Sequence, residues 1–192
     1  MLAIVLCVLS WSAINPKTYF IWFLEVLPVL IAIPLLFIFY HKFKFSNIVY
    51  FLIFLHAIVL IIGGHFTYED VPLFNWLKDS FNLSRNYYDK VGHFMQGFVP
   101  AMIIREILLR KTSIKRDWIF TFLITFSCLG ISALYEIFEW LVAIISGASA
   151  DAFLGMQGDM WDTQTDMACA LIGAIVAQTV FAKWHDRQIK NM

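Results

Sequence analysis

Apolar residues run through this chain in long stretches separated by short polar links, over roughly 1–14, 20–40, 47–64, 90–109, 118–146 and 160–182. A helix needs about 20 mostly apolar residues to cross the ~30 Å hydrocarbon layer, so the pattern predicts about six spans. Only the first run is short. It lacks a basic n-region, and Ser-Ala-Ile-Asn-Pro (12–16) lacks a small-x-small cleavage pattern, so it reads as a span rather than a signal peptide. Pro28 and Pro34 fall inside the second run, where a membrane helix tolerates them and kinks. In the one long link, 65–89, Pro72 stands at a first helical position, and Leu73, Trp76, Leu77 and Phe81 recur at helical spacing. This predicts a short interfacial helix over 72–81, anchored at headgroup level by Trp76.

Composition narrows the class. The chain is 60% hydrophobic and 15% charged, against about 45–50% and 25% for soluble domains. No repeat, low-complexity tract or linker divides it, so residues 1–192 read as one all-α, polytopic transmembrane bundle. Cys7, Cys128 and Cys169 stand singly in apolar runs and read as packing residues. Basic residues gather in the links 41–46 and 110–117 and in the tail from Lys183, which places these segments, and both termini, in the cytoplasm. The segments 15–19, 65–89 and 147–159 then face outward.

This topology changes the meaning of a formal charge of zero. The 14 basic and 14 acidic residues leave no basic footprint for nucleic acid. Yet the outer half carries four basic residues against eleven carboxylates, and the inner half ten against three. The inner excess is the topology signal; the outer excess needs cations or protons, because crowded carboxylates cannot all stay ionised.

The carboxylates fall on three helical stripes. Asp89, His93 and Gln96 share a face of the fourth span, Ser132, Glu136 and Glu139 a face of the fifth, and Asp159, Asp162 and Asp166 open the sixth, continued by Ala170 and Gly173. At 1.5 Å per residue, Gln96, Glu136, Glu139 and Asp166 all lie about 9–15 Å below the outer surface. Ionisable groups inside spans cost about 2.5–3.5 kcal/mol each on insertion scales, so a common level predicts a common site. Oxygen donors with one imidazole favour Mg²⁺ or Mn²⁺, with Glu136, Glu139, Asp159, Asp162 and Asp166 as the expected metal ligands. His93 or Asp89 would act as general base, and Gln96, Arg85 and Lys90 would hold substrate. Plainer roles exist for some: Asp159 and Asp162 suit a helix N-terminus, and Glu106 suits an i,i+4 pair with Arg110. Glu25, His56 and His65 read as locally hydrogen-bonded.

Three blocks carry a resemblance: Asp-Lys-Val-Gly-His-Phe-Met-Gln-Gly-Phe-Val-Pro-Ala (89–101), Ser-Ala-Leu-Tyr-Glu-Ile-Phe-Glu-Trp (132–140) and Phe-Leu-Gly-Met-Gln-Gly-Asp-Met-Trp-Asp-Thr-Gln-Thr-Asp-Met (153–167). They resemble the YjdF-like family of bacterial inner-membrane proteins over most of the chain. The resemblance implies an inner-membrane, multi-pass, single-domain protein and brings no reaction with it. The spacing Asp159-x-x-Asp162-x-x-x-Asp166 is similar to the first aspartate motif of UbiA-type prenyltransferases, with Gly158 where that motif has Asn; only the logic of holding Mg²⁺ against a diphosphate carries over.

Three functions fit. One is metal-assisted chemistry on a lipid or lipid-linked phosphate at the outer leaflet. Another is a proton- or cation-coupled transporter or sensor using the same carboxylates. The third is a structural membrane scaffold. No G-x-S-x-G, P-loop or dinucleotide fingerprint is present. Membrane lipids are the expected partners.

Overall fold

The computed structural model describes residues 1–146 and 156–192. Among them are eight helices and no strand: α1 (Leu2–Ser12), α2 (Tyr19–Tyr40), α3 (Asn47–Phe66), α4 (Pro72–Phe81), α5 (Tyr88–Lys111), α6 (Trp118–Ser146), α7 (Asp162–Val180) and α8 (Ala182–Lys190). Every predicted run has become a helix, including the short one over 72–81. Most of the predicted outer link 147–159 lies outside the described residues.

Three helices are long and apolar enough to cross a membrane, α2, α3 and α6, and α7 with α8 makes a fourth candidate bent by 57° at the break. The count of six predicted spans is therefore reached only in part. Eleven residues of α1 cover about 16 Å, half the hydrocarbon. The 24 residues of α5 have the length, but Asp89, Lys90, His93, Arg105 and Glu106 lower its hydropathy below that of an ordinary span.

Packing explains why so polar a helix sits here. α5 is the hub: it packs most extensively on α7 and also on α3 and α6, and eleven of its residues are buried. One core joins Leu52 of α3, Phe98 and Met102 of α5, Ile124 and Cys128 of α6, and Ala174 and Ala177 of α7. A second joins Val5, Val26, Val29 and Ile61 across α1, α2 and α3. The α5–α7 seam is made of small residues: a Cβ on Gly97 would run into the backbone of Ala170, and one on Gly173 into the carbonyl of Phe94. Small residues let backbones approach where hydrophobic burial gives helices no reason to associate.

Each end of the bundle is fixed by polar contacts. At the basic end, Glu106 is fully buried and accepts hydrogen bonds from the Ser46 backbone N–H (2.9 Å), the Ser46 hydroxyl (2.6 Å), Arg110 (2.6 Å) and His185 Nε2 (2.9 Å). Arg105 reaches His185 Nδ1 (3.0 Å) and Asp186 (2.8 Å), and Gln188 accepts from the first turn of α3 (3.0 Å). This network ties α8 to α3 and α5. At the acidic end, Asn86 and Gln157 exchange two hydrogen bonds, Asn86 N to Gln157 Oε1 (2.9 Å) and Gln157 Nε2 to Asn86 O (3.0 Å). His65 Nδ1 donates to the Ser12 carbonyl (2.9 Å), so its partner comes from α1 rather than from its own neighbourhood in sequence.

Candidate functional site

The site forms where the first two turns of α5, the first turns of α7 and the last third of α6 meet. Helical spacing places Asp89 and His93 one turn apart, so the His93 Nε2 atom stands 3.3 Å from Asp89 Oδ1. The same nitrogen lies 3.8 Å from Asp166 Oδ1 on α7. The other ring nitrogen, Nδ1, faces Gln96 Oε1 (3.1 Å) and Glu136 Oε1 of α6 (3.6 Å). Both edges of one imidazole are thus occupied by acceptors from three helices, and His93, Glu136 and Asp166 are all buried.

Next to this imidazole is a layer of internal ion pairs. Lys90 Nζ lies 2.6 Å from Asp162, 2.7 Å from Asp166 and 3.6 Å from Asp89. Arg85 is paired with Asp162 and lies 3.6 Å from Asp159 and 3.7 Å from Asp89. Burial works against the Arg85 charge, but Asp162, Asp89 and Asp166 more than offset it and raise its pKa above the ordinary value. The sequence assigned Arg85 and Lys90 to substrate. The fold turns both onto the carboxylates, so part of the neutralising charge expected from a metal or protons is supplied by the protein itself.

Of the five predicted metal ligands only Asp166 stands in a compact donor cluster, and its companions there, Asp89 and His93, are the two residues expected to act as general bases. Asp89, His93 and Asp166 each offer one ligand atom, all within 4.8 Å of one another. Asp162 is engaged by Arg85 and Lys90. Asp159 is about one-third exposed and accepts from the Trp161 backbone N–H (2.9 Å), the helix-terminus role foreseen for it. Glu136 meets the far edge of the imidazole. Glu139 is buried one turn further along α6, with no ion pair to it among the described residues. Two oxygens and one nitrogen fit the donor set of Mg²⁺ or Mn²⁺.

Several members were not singled out from sequence. Glu25 of α2 is buried and accepts from the Tyr135 hydroxyl at 3.3 Å, which brings a fourth helix to the site. Tyr68 packs its ring where a Cβ on Gly63 or on Gly92, the residue before His93, would sit. Glu25 stood alone in an apolar run, and that isolation was the one available signal. Nothing local announced Tyr68. Glu136 Oε1 and His56 Nε2 are buried with no hydrogen-bond partner among the described residues.

Residues 1–187 match the family model described as Predicted membrane protein (DUF2238). The chain is 44% identical to the inner membrane protein YjdF of Escherichia coli strain K12 over 96% of its own length and 88% of that protein's. No solved structure matches. With its long apolar helices, this makes the chain an integral protein of a bacterial inner membrane, and it belongs to the DUF2238 family of membrane proteins.

Proposed function

We propose that the site binds a divalent cation, Mg²⁺ or Mn²⁺, and serves chemistry on a lipid or lipid-linked phosphate at the outer face of the membrane. Asp89, His93 Nε2 and Asp166 are the ligands. Glu136 and Gln96, on Nδ1, fix the ring and its tautomer, the carboxylate–histidine arrangement that orients metal-ligating imidazoles. The observation that carries this reading is the imidazole of His93 with acceptors at both ring nitrogens, one of them a buried glutamate oxygen without another partner. A bound cation would polarise a phosphoryl oxygen, and Arg85 and Lys90 stand beside it with charge to share with an arriving phosphate. In this reading α5 and α1 also lie in the membrane, with α5 sheltered by α3, α6 and α7 and α1 entering from the outer side by half the membrane's depth, and the C-terminus is cytoplasmic.

The test is Mn²⁺ binding to the purified, chelator-stripped protein in detergent. Wild type should take up one ion per chain. Asp166→Asn and His93→Gln should lose it, and Glu136→Gln should weaken it by about 10–100-fold, as loss of an outer-shell partner does. Wild type that takes up neither Mn²⁺ nor Mg²⁺ while remaining helical and monodisperse refutes the reading.

A proton-relay function is the second reading. It is favoured by Glu25, Tyr135, Glu139 and His56, which extend the polar cluster away from Arg85 and Lys90 without a basic partner.

A further inference from the structure

Between α1, α2, α3 and α5 lies a crevice of about 680 Å³, open to one side and lined almost entirely by carbon. Pro28 and Leu36 of α2, Ile53 and Ala57 of α3, and Pro100 and Ile103 of α5 form its walls. It starts one turn below Glu25 and Gln96 and continues to His41; it shares His56 with the edge of the polar cluster but contains none of the site's carboxylates. From Pro28 to His41 the helix rise is about 20 Å, somewhat more than one leaflet's share of a ~30 Å hydrocarbon layer. Its volume falls in the range of about 300–1,000 Å³ typical of ligand sites. Below its mouth His56 is the one polar side chain on its walls, too few partners to hold a column of water, and bulk hydrocarbon surrounds its open side.

The rim has the opposite chemistry. Tyr40, His41, Phe45 and Tyr50 line the mouth at the basic end. Lys44 lies over the Tyr40 ring at 5.9 Å, and Lys111 over the Phe43 ring at 5.6 Å. Among the described residues no carboxylate pairs with Lys42, Lys44 or Lys111, whereas Arg110 is held by Glu106. An apolar slot one leaflet deep under a ring of unpaired ammonium groups matches a molecule with an anionic head and a long hydrocarbon tail. A second copy of this chain in the same orientation would bring its own basic rim against this one.

We propose that the crevice holds one acyl chain of an anionic phospholipid from the leaflet at the basic end, with its phosphate at Lys42, Lys44 and Lys111. The lipid is a bound component of the bundle, independent of the carboxylate site. The rim charge selects the headgroup, and the crevice length selects a tail over a peptide.

The full chain, reconstituted in nanodiscs with equal phosphatidylglycerol and phosphatidylcholine and then released into mild detergent, is analysed by native mass spectrometry. One phosphatidylglycerol retained per chain is expected. Ala57→Trp, which fills the slot, should abolish retention, and Lys42→Gln with Lys44→Gln should remove the preference for phosphatidylglycerol. Ile145→Trp, at an 82% exposed position of α6, should change neither. A diazirine at the acyl terminus of phosphatidylglycerol should label wild-type peptides containing Ile53 and Ala57, a readout that does not depend on any variant folding. Equal retention of both lipids, label spread evenly over outward faces such as Phe122 and Phe126, or a dimer that shields the crevice peptides would each overturn the proposal.

Discussion

Among single residues, Glu106 shows best how much a side chain can do beyond its local pair. The i,i+4 contact with Arg110 exists at 2.6 Å, but it is one of several. Arg105 is a donor only, so the His185 nitrogen it meets must accept, and the proton of that imidazole is on Nε2, donated to Glu106. The ring is then neutral and Glu106 carries the charge. Glu106→Ala would strand the Ser46 N–H, its hydroxyl and His185 Nε2 in the interior at once. The expected cost is about 3–5 kcal/mol, the range for breaking a buried pair from one side, read as a lower midpoint in an SDS-unfolding titration. Glu106 and His185 lie 79 positions apart, so no window of sequence could join them. The same holds for Glu25 with Tyr135, whereas His93 and Asp166, likewise far apart in sequence, were brought to one site by their common depth in the membrane. Asp89 and His93, by contrast, sit on one helix, and their contact follows from the 3.6-residue turn alone.

At the level of helices, boundaries were legible because the apolar runs end in charge. The run over 118–146 is α6 from first to last residue, and those at 20–40 and 47–64 differ from α2 and α3 by two residues at most. The break between α7 and α8 was not legible, since neither Gly nor Pro marks Phe181. Its cause is tertiary: His185 and Asp186 are drawn into the Glu106 and Arg105 network, which turns the nine residues of α8 aside by 57°. The small residues of the α5–α7 seam were visible as a stripe, but their closeness was not. Gly97→Val inserts a branched side chain where the Ala170 backbone lies. The loss should exceed the ~1–3 kcal/mol of ordinary overpacking, because backbone cannot give way as a side chain does. Thermal unfolding in detergent should show it, with Ala143→Val as a control on the half-buried flank of α6.

For the molecule as a whole, charge is divided between its two ends. The links 41–46 and 110–117 and helix α8 share one end, and the carboxylate layer with Arg85 and Gln157 the other. The basic end should be cytoplasmic. In intact cells a cysteine at Ser113 should resist a membrane-impermeant maleimide, and one at Asp79 should react; the reverse pattern would invert the orientation. The backbone contact at Gly97 and Gly173 has a mechanical consequence. The two helices bearing Asp89, His93 and Asp166 are locked as one rail, so the distances among these three groups are set once, at folding. Any change of shape that admits or releases a ligand falls to the jaw opposite, α6 with Glu136 and Glu139, which packs on each rail helix less extensively than the two pack on one another. Asp89, His93 and Asp166 all belong to the rail, as does Gln96 on the imidazole's far edge, and only Glu136 beside that edge belongs to the jaw.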